Sequence, residues 1–251
     1  VTHPPEPDGT IRSRESLCGR YNIKSYPTVI TFTGETGTSG ERYKGKQTYE
    51  AMHAFLEKEK ARRAERSGSE YHRVIAEGLA HLANNHLRYA ERSFRRAIKL
   101  SPGVSMPHHA LGIVYARSLA HAKAANAYFK ASELQRAGSK EWGESLAAGF
   151  CQLIQPACAE EPRPEWWHDD ALKDLSARAL AASPDEEDTI LMRALVLWCS
   201  GDWEAGPRTL KELKEAAALF ERVIEMQDPP DKAYVAALAN LHEMVKAMEA
   251  E

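Results

Sequence analysis

The sequence lacks a run of about 18 apolar residues that could span a bilayer, and it lacks a large excess of charge of one sign. Its 251 residues hold 33 Lys and Arg against 36 Asp and Glu, which gives a net charge of -3. A charge of that size produces no overall attraction to nucleic acid or to an acidic membrane surface. We therefore expect no nucleic-acid partner and no direct membrane span.

Cysteine is also scarce, and no two cysteines have the two-residue spacing of a redox dithiol or a zinc knuckle. The four are Cys18, Cys151, Cys158 and Cys199. Cys151 and Cys158 flank Pro156 and could form a disulfide across a short loop, but we favour buried, unpaired thiols. The sequence begins with Val1 and shows no signal peptide, so we expect any targeting segment to lie outside it.

Two units of 34 residues stand back to back over residues 71–138. In both units small residues occupy positions 8, 20 and 27, and an aromatic residue occupies position 24. The four positions hold Gly78, Ala90, Ala97 and Phe94 in the first unit, and Gly112, Ala124, Ala131 and Tyr128 in the second. Small residues let two helices approach closely, and the ring fills the space between them. A self-similarity of this length predicts a helical repeat array.

This spacing resembles the tetratricopeptide (TPR) repeat, with departures at Glu77, His81 and Arg136, where Leu, an aromatic residue and Pro are usual. The resemblance implies an α-solenoid that acts as a binding scaffold. In TPR proteins the first helix of each unit lines a groove, largely through unit positions 2, 5, 9, 12 and 13. We call these side chains the groove face: His72, Ile75, Leu79, Leu82 and Ala83, then Met106, His109, Ile113, Ala116 and Arg117.

The groove face is mostly apolar, which suits an amphipathic helix or a hydrophobic extended segment of a partner. Its predicted partner-binding residues are Ile75, Leu79, Leu82, Met106, His109 and Ile113. The TPR clamp for a chaperone's C-terminal carboxylates needs Lys and Asn where Ile75 and Leu79 stand, so we exclude it. Alternatively, the chain's own helix over residues 50–62 fills the groove. Both interpretations predict burial of Ile75, Leu79 and Ile113.

A different pattern precedes the repeats. After an extended arm at residues 1–13, a short helical face leads to the turn at Pro27. Residues 29–32 and 41–43 then predict a strand hairpin, and a helix begins near Thr48. This order, with Tyr26-Pro27-Thr28 and Tyr43-Lys44-Gly45, resembles the C-terminal half of a thioredoxin-like domain of the protein disulfide isomerase type over about residues 14–60. The resemblance implies that Pro27 is a structural cis-proline.

The half of that fold which carries the Cys-x-x-Cys pair is not in the sequence. Thiol-disulfide exchange cannot run without an attacking and a resolving thiol, so we expect residues 14–60 to be a redox-inactive remnant without a cofactor. The alternative is a fragment of a thioredoxin-like oxidoreductase whose dithiol half is missing from this chain. The resemblance implies the lumen of the endoplasmic reticulum or another organelle, with the cytoplasm as the alternative.

Residues 61–70 are charged and then rich in Ser and Gly, which predicts a linker. Alternatively, the preceding helix runs straight into the array, with residues 67–69 as the break before the first repeat. After Gly138 the 34-residue register blurs. We predict a third helix pair interrupted by a Pro-rich loop at residues 155–164, a fourth pair at residues 189–200 and 209–226, and a capping helix at residues 232–250. TPR-like repeats would then extend over residues 71–251, with Ala216, Phe220 and Val223 on the packing face of the fourth pair.

Three further features bear on function. Adjacent indoles at Trp166 and Trp167 point about 100° apart on a helix, so we expect one at an interface, with packing of both under the preceding loop as the alternative. The histidines show no metal-ligand spacing. The acidic groups at Asp169-Asp170 and at residues 186–188 lie beside predicted helix starts, where they complement the helix dipole rather than catalyse.

The sequence thus predicts a mainly α fold, a TPR-like α-solenoid preceded by a small α/β thioredoxin-like remnant. The predicted function is a non-catalytic protein-protein interaction scaffold, an adaptor or peripheral subunit of a larger complex. It would bind protein partners through the groove face, the Trp166-Trp167 region and the remnant. No cofactor, metal or enzymatic activity is predicted.

Overall fold

The computed structural model of the protein describes residues 30–33, 39–42, 49–198, 203 and 205–250. The chain divides into two compact units, Val1–Ser69 and Glu70–Glu251. In the first unit, strands β1 (Ile30–Thr33) and β2 (Ser39–Arg42) pair antiparallel, with Ile30 opposite Arg42. A hairpin is present where the sequence predicts one, but two strands of four residues are common to many α/β folds. The predicted cis-proline, Pro27, lies outside the described residues.

Helix α1 (Tyr49–Ala83) is a single helix of 35 residues. The residues assigned from sequence to a linker, 61–70, are helical within it. Ala, Arg and Glu fill most of this stretch and are strong helix formers, and one Gly inside a helix costs only about 1 kcal/mol. The Ser-Gly-Ser composition at residues 67–69 is therefore insufficient to break the helix.

The repeat-bearing unit continues with eight further α-helices in its described residues. These are α2 (Leu87–Leu100), α3 (Met106–Arg117), α4 (His121–Glu133), α5 (Lys140–Leu153), α6 (Asp169–Ala182), α7 (Glu187–Trp198), α8 (Leu210–Met226) and α9 (Lys232–Glu249). A short 3-10 helix, Pro156–Cys158, lies between α5 and α6. From α2 onwards successive helices contact each other, and α5 also contacts α7. Helix α1 contacts α2 where Gly78 lies against Phe94. The architecture is an array of helix pairs that ends in one further helix.

The first two pairs pack through the small residues that the 34-residue pattern marks. A Cβ built on Gly78 of α1 would lie 2.6 Å from the Phe94 ring of α2, and one built on Gly112 of α3 would lie 2.5 Å from the Tyr128 ring of α4. Ala90, Ala97, Ala124 and Ala131 are completely buried at the same two interfaces. The predicted packing of both units is confirmed.

The turn inside each unit repeats as well. Asn85 (φ 55) and Leu119 (φ 58), both at unit position 15, have left-handed backbone conformations directly after the first helix. The amide of the next residue then bonds back five positions, from His86 to the His81 carbonyl at 2.8 Å and from Ala120 to the Tyr115 carbonyl at 2.9 Å. This is the Schellman ending of a helix, and its recurrence after 34 residues supports the register independently of side-chain packing.

The later helix pairs also pack through small residues, but these residues no longer follow the 34-residue spacing. Gly143 of α5 lies against the backbone of Ala179 on α6, where an added Cβ would be 3.0 Å from the carbonyl oxygen. In the fourth pair, Ala216, Phe220 and Val223 of α8 are completely buried, as predicted. Thr209 and Glu212 form a capping box at the start of α8. Helix α9 packs on α8 and buries Leu241.

The two long connections of the later pairs meet each other. Trp167, from the α5–α6 connection, stacks on Phe150 (centroids 5.1 Å apart) and meets Trp203, from the α7–α8 connection, edge to face at 6.1 Å. Both nitrogens of the Arg208 fork bond the Asp169 carboxylate, at 2.6 and 2.8 Å. The fork also holds the pKa of Asp169 well below its usual range. The aromatic contact and the ion pair therefore hold the two long connections together, although these connections depart from the regular repeat length.

Cys151 and Cys158 are both buried, unpaired thiols. The sequence-based preference for free thiols over a disulfide at these positions is confirmed. Cys18 and Cys199 lie outside the described residues.

Replacing Gly112 by Ala should destabilise the protein by about 2 kcal/mol, because its methyl group would overlap the Tyr128 ring in a tightly packed interface. Chemical denaturation followed by circular dichroism measures this change. Gly103→Ala is the matched control, since an added Cβ there meets nothing within 4 Å. Equal stability of the two variants would contradict the close approach of α3 and α4.

Replacing Leu119 by Gly should stabilise the protein by about 0.5–1 kcal/mol, because glycine adopts a positive φ without the steric cost that leucine incurs. Little packing is lost, since Leu119 is 75% exposed. Leu119→Ala retains a Cβ at φ 58 and should give no such gain. A lower melting temperature for Leu119→Gly than for the parent would count against the left-handed turn.

Candidate functional site

The first helices of successive pairs are joined by side-chain contacts, so they form one continuous surface. Arg117 of α3 donates from Nη1 to the Leu82 carbonyl of α1 at 3.1 Å. His109 of α3 lies 2.9 Å from Ser145 of α5, between Nδ1 and Oγ. The Cys151 thiol of α5 lies 3.9 Å from the backbone carbonyl of residue 188 on α7. The first helices of the four pairs, α1, α3, α5 and α7, therefore lie side by side, and the groove face is on the first two of them.

Leu79 and Met106 are the exposed large apolar side chains of the groove face, with exposed fractions of 47% and 38%. Ile75 and Leu82 are buried in a cluster with Phe94 instead, and Ile113 is half-buried against that cluster. The expectation that Leu79 is buried is wrong. Leu79 follows Gly78, which faces the Phe94 ring, so its own side chain points about 100° away from α2.

His109 belongs partly to the interior. Its ring packs edge to face on Tyr128, with centroids 5.1 Å apart, and the Ser145 contact occupies Nδ1. Burial lowers the pKa of His109, which favours the neutral imidazole at pH 7. It thus acts as a hydrogen-bonded spacer between the second and third pairs.

The structure separates the adjacent tryptophans. Trp167 is buried and forms part of the aromatic cluster with Phe150 and Trp203. Trp166 is half-buried and meets Phe129 of α4 edge to face at 5.3 Å. Of the two indoles, only Trp166 is therefore partly exposed, and Trp167 is a core residue.

An open cleft of about 390 Å³ lies between α4 and α6, with α5 as its floor and Trp166 at its edge. Its lining is mostly apolar and consists of Phe129, Ser132, Glu133, Trp142, Leu146, Trp166, Ala171, Asp174 and Leu175. Sequence reasoning placed Trp142 on a helix but missed the cleft. The sequence feature that could have indicated the cleft is the long α5–α6 connection, because it leaves a space between α6 and α4.

The acidic residues singled out from sequence lie where the helix-dipole interpretation places them. Asp169 and Asp170 are in the first turn of α6, and Glu187 and Asp188 are in the first turn of α7. Within the described part of the chain, no group of three or more His, Cys, Asp or Glu side chains could hold a metal ion. Among the same residues, no helix is long and apolar enough to cross a membrane.

Asp188 differs from its acidic neighbours because it lies half-buried at the junction of α5 and α7, next to Cys151. Burial, reinforced by the charges of Glu186 and Glu187, raises its pKa to about 6. Burial also raises the pKa of the Cys151 thiol beside it and brings that of Tyr234 on α9 to about 12. At neutral pH the junction therefore holds a carboxylate whose charge the folded state disfavours.

Neither a protein-family model nor a curated protein matches this chain. Among solved structures, the fold is similar to that of YrrB, described as a TPR protein with an unusual peptide-binding site. The two are 17% identical over 69% of this chain and 76% of YrrB, with a TM-score of 0.47. The MamA protein is also 17% identical, over 72% of this chain and 84% of MamA, with a TM-score of 0.49.

The described array has a mainly α-helical, TPR-like fold. Its own geometry carries this conclusion: glycine-to-ring contacts at equivalent positions, the left-handed turn after each first helix, and first helices joined side by side. The thioredoxin-like interpretation of residues 14–60 stays a prediction.

Asp188→Asn should stabilise the protein at pH 7 to 8 by up to about 2 kcal/mol. A carboxyl whose folded pKa is raised costs stability above that pKa, and the cost disappears as pH falls from above 6 towards 4. The parent protein should therefore gain stability over this interval relative to the variant. Thermal unfolding between pH 4 and 8 tests this, and parallel profiles for parent and variant would contradict it.

Proposed function

We propose that the protein is a non-catalytic scaffold that binds an amphipathic segment of a partner protein on the groove face. The observation that carries the proposal is the pair of exposed apolar side chains, Leu79 on α1 and Met106 on α3. Exposed apolar groups on the lining helices of a repeat array are available to bury against a partner.

The spacing of the two side chains favours a helical or similarly amphipathic ligand. They stand at unit positions 9 and 2 of neighbouring first helices, so they are offset by seven residues, about 10 Å along the helix direction. Apolar side chains seven residues apart on a ligand helix span about the same length. Half-buried Ile113 and Ala116 on α3 supply further apolar surface.

The cleft beside Trp166 offers a second apolar contact region. Large aromatic side chains at the edge of such a surface are frequent anchors of protein interfaces. An adaptor or peripheral subunit of a larger complex fits two contact regions on one array, because a scaffold of this kind can hold more than one partner at a time. The hairpin-bearing first unit would be an additional docking surface.

The test is affinity purification of the tagged full chain from its source cells, with mass spectrometry of stoichiometric partners. The purified partner is then titrated by calorimetry against the parent and against Leu79→Glu/Met106→Glu. We expect at least a tenfold loss of affinity in that variant, because two charges would be placed on the apolar contact.

The matched control is Met226→Glu/Val235→Glu, whose parent side chains are 48% and 47% exposed on α8 and α9. This variant should bind normally. Equal binding by the parent and both variants would show that the partner does not bind on the groove face. The absence of any stoichiometric partner would contradict the scaffold function.

A further inference from the structure

The repeat-bearing unit is strongly divided in charge, although the whole chain is nearly neutral. Residues 70–138 hold ten Lys and Arg against four Asp and Glu, a net charge of +6. Residues 139–251 hold 11 against 23, a net charge of -12. The first two helix pairs are therefore basic and the rest of the array is acidic.

The positive charge is concentrated on α2. All five of its basic residues fall within about 100° of arc on the helix, opposite the buried face formed by Ala90, Phe94 and Ala97. They extend along about 16 Å of the helix axis, and every one is exposed. We call this set the basic face: Arg88, Arg92, Arg95, Arg96 and Lys99.

Neighbouring residues only partly neutralise the basic face. Arg95 pairs with Glu91 at 2.9 Å and also donates to the Tyr115 hydroxyl, while Arg96 pairs with Glu70. Among the described residues, no acidic side chain pairs with Arg88, Arg92 or Lys99. A line of three cations is thus left facing solvent.

A cluster of acidic residues lies where the α6–α7 and α8–α9 turns meet. We call five exposed residues there the acidic edge: Asp185, Glu186, Glu225, Asp228 and Asp231. Gln227 joins the two turns, because its side chain donates to Glu187 at 2.6 Å and accepts from the Asp231 amide at 2.9 Å. Arg222, which donates to the Pro184 carbonyl, is the cation paired with Asp185.

We propose that copies of this chain associate head to tail, with the basic face of one copy docked on the acidic edge of the next. We choose a second copy as the partner because every chain carries one acidic edge that is complementary in charge to one basic face. The faces lie in the first and the last helix pairs, and no ion pair joins them among the described residues of one copy. Such a contact is heterologous, so it builds rings or open filaments rather than two-fold dimers.

The first test is the mass of the full chain in solution, measured by sedimentation velocity at about 50 mM and about 500 mM NaCl, where screening differs strongly. We expect species larger than the 28.0 kDa monomer at low salt. We also expect at least a tenfold weaker association at high salt, because exposed charges are screened over distances beyond a few ångströms there.

Two charge-reversal variants give the decisive test. Arg88→Glu/Arg92→Glu/Lys99→Glu loses the basic face and keeps the acidic edge, and Asp185→Lys/Glu186→Lys/Glu225→Lys does the opposite. Each alone should remain monomeric at low salt. An equimolar mixture should associate again, because the retained basic face of one variant matches the retained acidic edge of the other, and the two reversed surfaces are also complementary in charge.

Lys140→Glu/Lys211→Glu/Lys246→Glu is the matched control, with the same change of charge at exposed lysines elsewhere. It should associate like the parent. Circular dichroism and thermal unfolding verify that all three variants fold. A monomeric parent at low salt would overturn the proposal, as would a mixture of folded variants that fails to associate. Binding of single-stranded RNA or heparin by a monomeric parent would assign the basic face to another class of polyanion.

Discussion

The contact of a glycine with an aromatic ring is the constraint on which the array depends. Gly78 against Phe94 and Gly112 against Tyr128 set how closely the two helices of a pair approach. That approach buries the alanines at positions 20 and 27 and decides which way each first helix faces. Because Gly78 faces α2, the neighbouring Leu79 faces solvent. The apolar part of the groove face is therefore a consequence of packing inside the pair.

The later pairs show how the array tolerates irregular spacing. Two connections longer than a repeat turn would expose backbone and leave gaps between helices if each stood alone. Instead, Trp167 and Trp203 fill one shared aromatic cluster, and Asp169 and Arg208 form a buried pair across the same connections. Removing both charges from water costs free energy, and the two parallel hydrogen bonds from Arg208 to Asp169 offset part of that cost. Arg208 also donates to two backbone carbonyls near the end of α7. One consequence is the open cleft between α4 and α6.

The charged surfaces and the apolar surface of this molecule lie on different structural elements. The groove face is made from first helices and is mostly apolar, whereas the basic face lies on the outer side of α2, a second helix. The acidic edge lies at two turns and at the C-terminal end of α8. The two proposed contacts, one with a partner and one with a further copy, therefore use different residues.

The sequence by itself determined the repeat register, the two close-packed helix pairs and the packing face of α8. Each follows from local spacing or residue chemistry. It also contained the basic face, as cations recurring at intervals of three and four residues. Only the tertiary structure decided that Leu79 is exposed, that Trp167 is interior, that Asp188 lies half-buried beside Cys151 and that the two connections meet. These outcomes depend on contacts between residues tens of positions apart, and a periodic pattern carries no information about them because it describes one helix at a time.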